Sequence, residues 1–178
     1  MKKKTPTLPM ADLHHLNAAE GWLGLGDWRS ADDELAELTP ELSAHPDVLE
    51  LRWQVNAAAK RWEACVQIAT TITELTPKRS SGWIHRSFAL HELKRTQEAL
   101  DNLLSVVERF HKDATMHYNL ACYECQLGRL PEAKRRLAVA FDLGDSRRTK
   151  LMALEDADLR PLWEHIGELF PDESGRNG

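Results

Sequence analysis

With 178 residues, 42% of them hydrophobic and 29% charged, the chain has the composition of a folded globular protein with a sizeable core, and not of a disordered or low-complexity one. Three cysteines, an odd number in a chain of this size, argue against a disulfide framework and for a reducing compartment. No run approaches the roughly 18 apolar residues of a membrane helix, and a net charge of −5 argues against a general nucleic-acid binder.

The chain opens on Met1-Lys2-Lys3-Lys4, a basic start like that of a signal peptide. Thr5-Pro6-Thr7-Leu8-Pro9 then stands where an apolar segment belongs, so residues 1–11 read as a flexible lead-in and the protein as cytoplasmic. Leu13, Leu16, Ala19 and Leu23 recur three or four apart and predict a helix over 12–24, ended by Gly24-Leu25-Gly26-Asp27. The glycines between Gly21 and Gly26 do not form a dinucleotide fingerprint, because no strand precedes them and their order is reversed. Helices over 28–41, 46–59 and 62–75 follow, with Pro46 where its missing N–H costs nothing and Thr76-Pro77 as a stop. Four more are predicted over 81–93, 96–110, 114–127 and 130–143, with Trp83 filling space in the first pair, Pro131 opening the last helix and Gly144 closing it.

These helices repeat. Steps of 34 back from Gly128 land on Lys94, Lys60 and Gly26, and the same steps from Ala133 land on Ala99, Cys65 and Ala31. Small residues at all four of the latter places are what close helix packing requires. The register gives four units, 12–45, 46–79, 80–113 and 114–147. The fourth carries Tyr118-Asn119-Leu120-Ala121, Gly128, Ala133, Leu137 and Ala140; the first carries Ala19, Trp22, Gly26, Ala31 and Leu35. The third keeps Trp83, Ala99 and Leu103, and the second keeps Pro77. On these residues the chain resembles the tetratricopeptide repeat (TPR) family, whose pattern is W-x2-L-G-x2-Y, then A-x3-F, then P. It departs from that pattern at Arg86 and Ser87, and at Trp53, where glycine is usual. The resemblance implies an all-α fold: a right-handed superhelical α-solenoid of about four helix–turn–helix repeats.

Beyond 147 the period lapses. Arg147 to Leu154 reads as a short helix, and Asp156 as the cap of a last segment. There Leu162, Ile166 and Leu169 form an apolar stripe with Trp163 beside it, while Arg160, Glu164 and Glu168 face out. Residues 148–170 are therefore expected to be capping helices, since the last hairpin of an open solenoid exposes its stacking surface. The alternative for the same stripe is a dimer seam, giving a monomer or weak dimer. Residues 171–178 read as a disordered tail.

The resemblance also implies that four positions of each unit's first helix line a concave groove. Mapped here, the partner-binding residues are Leu16, Glu20 and Leu23, then Glu50 and Gln54, then Ile84, Phe88 and His91, and last Tyr118, Cys122 and Cys125. Such a groove is acidic early and apolar late, and an exposed apolar patch marks a binding surface unless the N-terminal tail or final helix fills it. No Lys or Arg pair stands where some family members grip a partner's terminal carboxylate.

Charge is uneven: residues 11–50 hold ten acids against Arg29 alone, and 51–150 hold seventeen Lys or Arg against eleven acids. The acidic run Asp32, Asp33, Glu34 and Glu37 reads as a solvated helix face, with steering of a basic partner as the alternative. Cys122-Tyr123-Glu124-Cys125 falls in mid-helix, away from the helix N-terminus that a redox pair wants and without the other ligands of a zinc site, so no metal or cofactor is expected. No catalytic constellation stands out. The basic region from Arg129 to Lys150 lacks interleaved aromatics, so nucleic acid is not an expected partner, nor is a membrane. The expected function is a non-catalytic protein–protein interaction scaffold holding a segment of a partner in the groove. The alternative is a bacterial secretion-type chaperone for one client. In size, acidity and apolar groove the chain is similar to the repeat chaperones of type III secretion translocators, but it has four units where those usually have three.

Overall fold

The computed structural model describes residues 9–169; residues 1–8 of the expected lead-in, residue 170 and the expected tail, 171–178, lie outside the described residues. Ten α-helices and no strand occur among the described residues. Helix α1 (Met10–Gly24) starts two residues before the expected position, with Pro9 extended at its N-cap. Helix α2 (Trp28–Ala36) is capped by Asp27, whose carboxylate accepts the Ser30 N–H. It ends five residues early for a local reason. Thr39 precedes Pro40, whose ring drives it out of the helical region to ψ 136°, and its N–H and hydroxyl both go to the buried Asp12 carboxylate at 2.8 and 3.0 Å. A 3-10 turn, Pro40–Leu42, then leads to α3 (Pro46–Ala58), α4 (Trp62–Leu75), α5 (Ser81–Glu92) and α6 (Thr96–Leu104).

Helix α6 is also shorter than its pattern. Val106 and Val107 are buried just past it, and the N–H groups of Val106 and Arg109 bond carbonyls three residues back, so the winding tightens and stops being α. Asp113 caps α7 (Ala114–Gln126), followed by α8 (Leu130–Leu143). Asp145 caps α9 (Ser146–Glu155), and Asp156 caps a 3-10 segment, Ala157–Leu162, that runs into α10 (Trp163–Leu169).

The 34-residue spacing is written into the backbone. Gly26, Lys60, Lys94 and Gly128 all take positive φ, 81°, 55°, 63° and 75°. At each, the residue's own N–H bonds the carbonyl three back and the next N–H bonds the carbonyl five back, as in Asp27 to Trp22 and Arg129 to Glu124. This is the Schellman ending, which satisfies the last carbonyls of the first helix and turns the chain into the second. Five residues on from each turn stand Ala31, Cys65, Ala99 and Ala133, all fully buried.

The chain forms two compact units, 1–89 and 90–178, divided within α5. In unit 1, α1 packs on α2, α2 on α3 and α3 on α4. Leu16, Ala19, Ala31, Leu35, Val48 and Leu51 form one core cluster, with Leu23 and Trp28 against it. Trp53, Cys65, Ala69 and Ala89 form a second. Gly82 is required where it stands, because a Cβ there would lie 2.9 Å from both Ile72 Cγ2 and the Thr73 backbone nitrogen.

In unit 2, α7 packs on α6 and α8, α8 on α9, and the 157–162 segment on α7. Leu159, Leu162 and Ile166 are fully buried there, and Trp163 Nε1 donates to the Ala153 carbonyl at 3.0 Å. Of the stripe expected to cap the repeats or form a dimer seam, Leu162 and Ile166 are spent on the protein's own core. The Leu169 side chain lies outside the described residues. No helix among the described residues is long and apolar enough to cross a membrane.

Candidate partner-binding surfaces

In unit 1 the residues assigned to a groove divide. Leu16 is buried in the first core cluster with Leu35 and Leu51, which corrects its assignment to an open groove, and the half-buried Leu23 packs against the same cluster. Glu20 and Gln54 are exposed, and Glu50 and Ile84 are half-buried. Glu50 is fixed from α5, with the Ser81 hydroxyl donating to Oε1 at 2.6 Å and His85 Nε2 lying 2.7 Å from Oε2. Partial burial raises the Glu50 pKa, but the hydrogen bonds from His85 and Ser81 outweigh it and hold the carboxyl below its ordinary value. Ser81 donates to Glu50 and not to His85, so this trio is not a base-activated nucleophile.

The aromatic part of the surface was not legible as a group. The His85 ring stacks on Trp53 at 3.9 Å, and Phe88 stands edge-on to Trp53 at 6.2 Å and to Trp62 at 5.8 Å. Trp53 is nearly covered, whereas Phe88 keeps 38% of its surface exposed. The repeat pattern assigned Phe88 but missed Trp53, Trp62 and His85; the signal available was Trp53, a large ring where a small residue is usual. The result is an apolar, aromatic ledge beside an ionised carboxylate.

In unit 2 the assigned residues do come together, but beneath the chain itself. Tyr118 donates to Asp156 Oδ2 at 2.9 Å, and Cys122 Sγ lies 3.6 Å from the same oxygen. His91 places Nε2 at 2.8 Å from Asp158 Oδ2 and Nδ1 at 3.0 Å from Thr96 Oγ1, its ring tilted against Tyr123. Gln126 Nε2 donates to the Asp158 carbonyl at 2.9 Å. His91, Tyr118, Cys122 and Cys125 are all buried, which corrects their assignment to an open groove. The face of α7 expected to receive a partner carries the Asp156–Leu162 segment.

The same burial settles the thiols. Desolvation, with the Asp156 and Asp158 charges behind it, pushes Cys122 well up and Cys125 up to about 11. Cys65, buried by Trp53 and Ala69, is raised to about 11. A thiol held neutral is neither a nucleophile nor a ready ligand. Among the described residues no group of three His, Cys, Asp or Glu is placed to hold a metal.

The chain matches no protein-family model and no curated protein sequence. Its likeness is to solved structures. MamA 41-end from Desulfovibrio magneticus RS-1 superposes with a TM-score of 0.69 at 18% identity, over 97% of this chain and 100% of that one. A MamA RS-1 ArsTM double mutant gives 0.68 at 19% identity, over 92% and 96%. MamA is a TPR-like helical solenoid, so the resemblance read from the repeat spacing reappears as shape: the fold is all-α and TPR-like.

Proposed function

We propose that the protein is a non-catalytic scaffold that holds a segment of a partner protein against the ledge formed by α3 and α5 in unit 1. The observation that carries this reading is Phe88, left more than a third exposed at the edge of Trp53 and Trp62 beside the ionised Glu50. Aromatic side chains that become desolvated on binding are common among the few residues that dominate the energy of protein interfaces. Glu50, Gln54 and Ile84 would set polar and apolar register around it. The TPR-like fold supports the reading, since such helical repeats present first-helix faces to other chains. The corresponding face of unit 2 does not contribute, being covered by Asp156–Leu162. Three free thiols support a reducing, cytoplasmic setting.

The test is affinity capture with the wild type, Phe88→Asp and Tyr118→Ala. Phe88→Asp should keep its helical circular dichroism and lose the partners that the wild type retains, while Tyr118→Ala should keep them. Undiminished capture by a folded Phe88→Asp would remove the ledge from the interface.

A further inference from the structure

A different surface, on α9 in unit 2, combines three features that do not depend on the ledge. The first is position. Arg147, Arg148, Leu151, Leu154 and Glu155 follow helical spacing along one outward stripe, opposite the fully buried Ala153. Leu151 is 57% exposed. The second is charge. Neither Arg147 nor Arg148 is in an ion pair among the described residues, although Arg61, Arg95, Arg129 and Arg135 each have a carboxylate. Both also stand in the first turn of α9, where cations oppose the helix dipole. The third is form. Asp145, Arg147, Arg148 and Leu151 line a cleft of about 220 Å³, and the Asp145 carboxylate there accepts the Arg148 backbone N–H at 3.1 Å.

An arrangement that costs stability at a helix start, and leaves leucines in water beside unneutralised guanidinium groups, is relieved by a ligand that brings carboxylates and apolar side chains together. We propose that the outward stripe of α9 is a docking surface for an acidic amphipathic helix of a partner protein. Carboxylates of that helix would lie against Arg147 and Arg148, and its apolar side chains, one turn on, against Leu151 and Leu154. An anionic membrane fits the stripe less well, because α9 has only ten residues and so little apolar length to lay into a bilayer. A single-stranded nucleic acid fits less well still, because the stripe carries no aromatic ring for bases to stack on.

The experiment uses the full chain and three labelled helical peptides of about 15 residues, built on one leucine stripe with polar faces of Glu, Gln or Lys, read by fluorescence anisotropy. The Glu peptide should bind at least about tenfold more tightly than the other two and weaken as salt rises from about 50 to about 300 mM. Arg147→Gln with Arg148→Gln, and separately Leu151→Asp, should each lose about tenfold or more, whereas Phe88→Asp should bind as the wild type does. Equal binding of all three peptides, or a preference that survives both α9 variants, would overturn the proposal. So would flotation with phosphatidylcholine–phosphatidylserine vesicles that depends on Leu151 while the Glu peptide does not bind.

Discussion

Lys60 and Lys94 hold a left-handed backbone that side chains with a Cβ adopt at a cost, and they hold it because the Schellman bonds on either side leave no other path. Gly26 and Gly128 meet the same demand without strain. Lys94→Gly should therefore raise stability by about 0.5–1 kcal/mol and Gly128→Ala should lower it by about 1 kcal/mol, both read from urea midpoints at unchanged slope. The sequence alone exposed these four sites as one register, since two glycines and two lysines 34 apart already marked equivalent turns. It did not expose Gly82, whose need is set by Ile72 and the Thr73 backbone from the preceding helix. That is a close approach between elements, and no property of the residues around Gly82 encodes it.

At the scale of elements, helix interiors were legible and two ends were not. Apolar spacing continues past Ala36 and past Leu104, but Pro40 with the Thr39–Asp12 hydrogen bonds cuts the first, and the buried Val106 and Val107 tighten the second. The Asp156–Leu162 segment behaves as an element in its own right: Asp156 caps it, accepts from Tyr118, and lies near Cys122. Asp156→Ala should cost about 1–3 kcal/mol, because it strands the buried Tyr118 hydroxyl and removes the cap. Burial foremost, with Cys122 and Asp156 adding to it, pushes the Tyr118 phenol well up, so it remains a donor. In a double-mutant cycle, the Asp156→Ala, Tyr118→Phe double variant should lose less stability than the two single changes summed. Strict additivity would mean that the hydrogen bond does not hold the segment down.

For the molecule as a whole, charge and pH set one shared limit. Asp27 is lowered by the Ser30 hydrogen bonds, Glu34 by the one from His15, and Glu132 by its own backbone N–H and by Arg135. Glu50 is lowered despite its burial. Each carboxylate is more acidic folded than unfolded, so its contribution is complete above the ordinary values of 3.8 for Asp and 4.5 for Glu and is lost as pH falls through the lowered ones. The urea midpoint should hold between about pH 7 and 5 and drop below about pH 4.5, with a flatter drop in Glu50→Gln. An acid limb of the same steepness in that variant would show that Glu50 is no more bound to its partners folded than unfolded.

What the sequence determined by itself was periodic: four equivalent turns 34 residues apart, four small residues beyond them, the cap at Asp156, and from these a TPR-like chain of helices. Each of those features is enforced within a few residues, by backbone geometry and by the spacing of one helix face. What only the tertiary structure decided was occupancy. Whether α7 meets a partner or Asp156, and whether Leu16 faces a groove or Leu35, depends on segments far apart in the chain competing for the same apolar surface. That competition is won by burial summed over many side chains, a quantity that a repeat register does not contain.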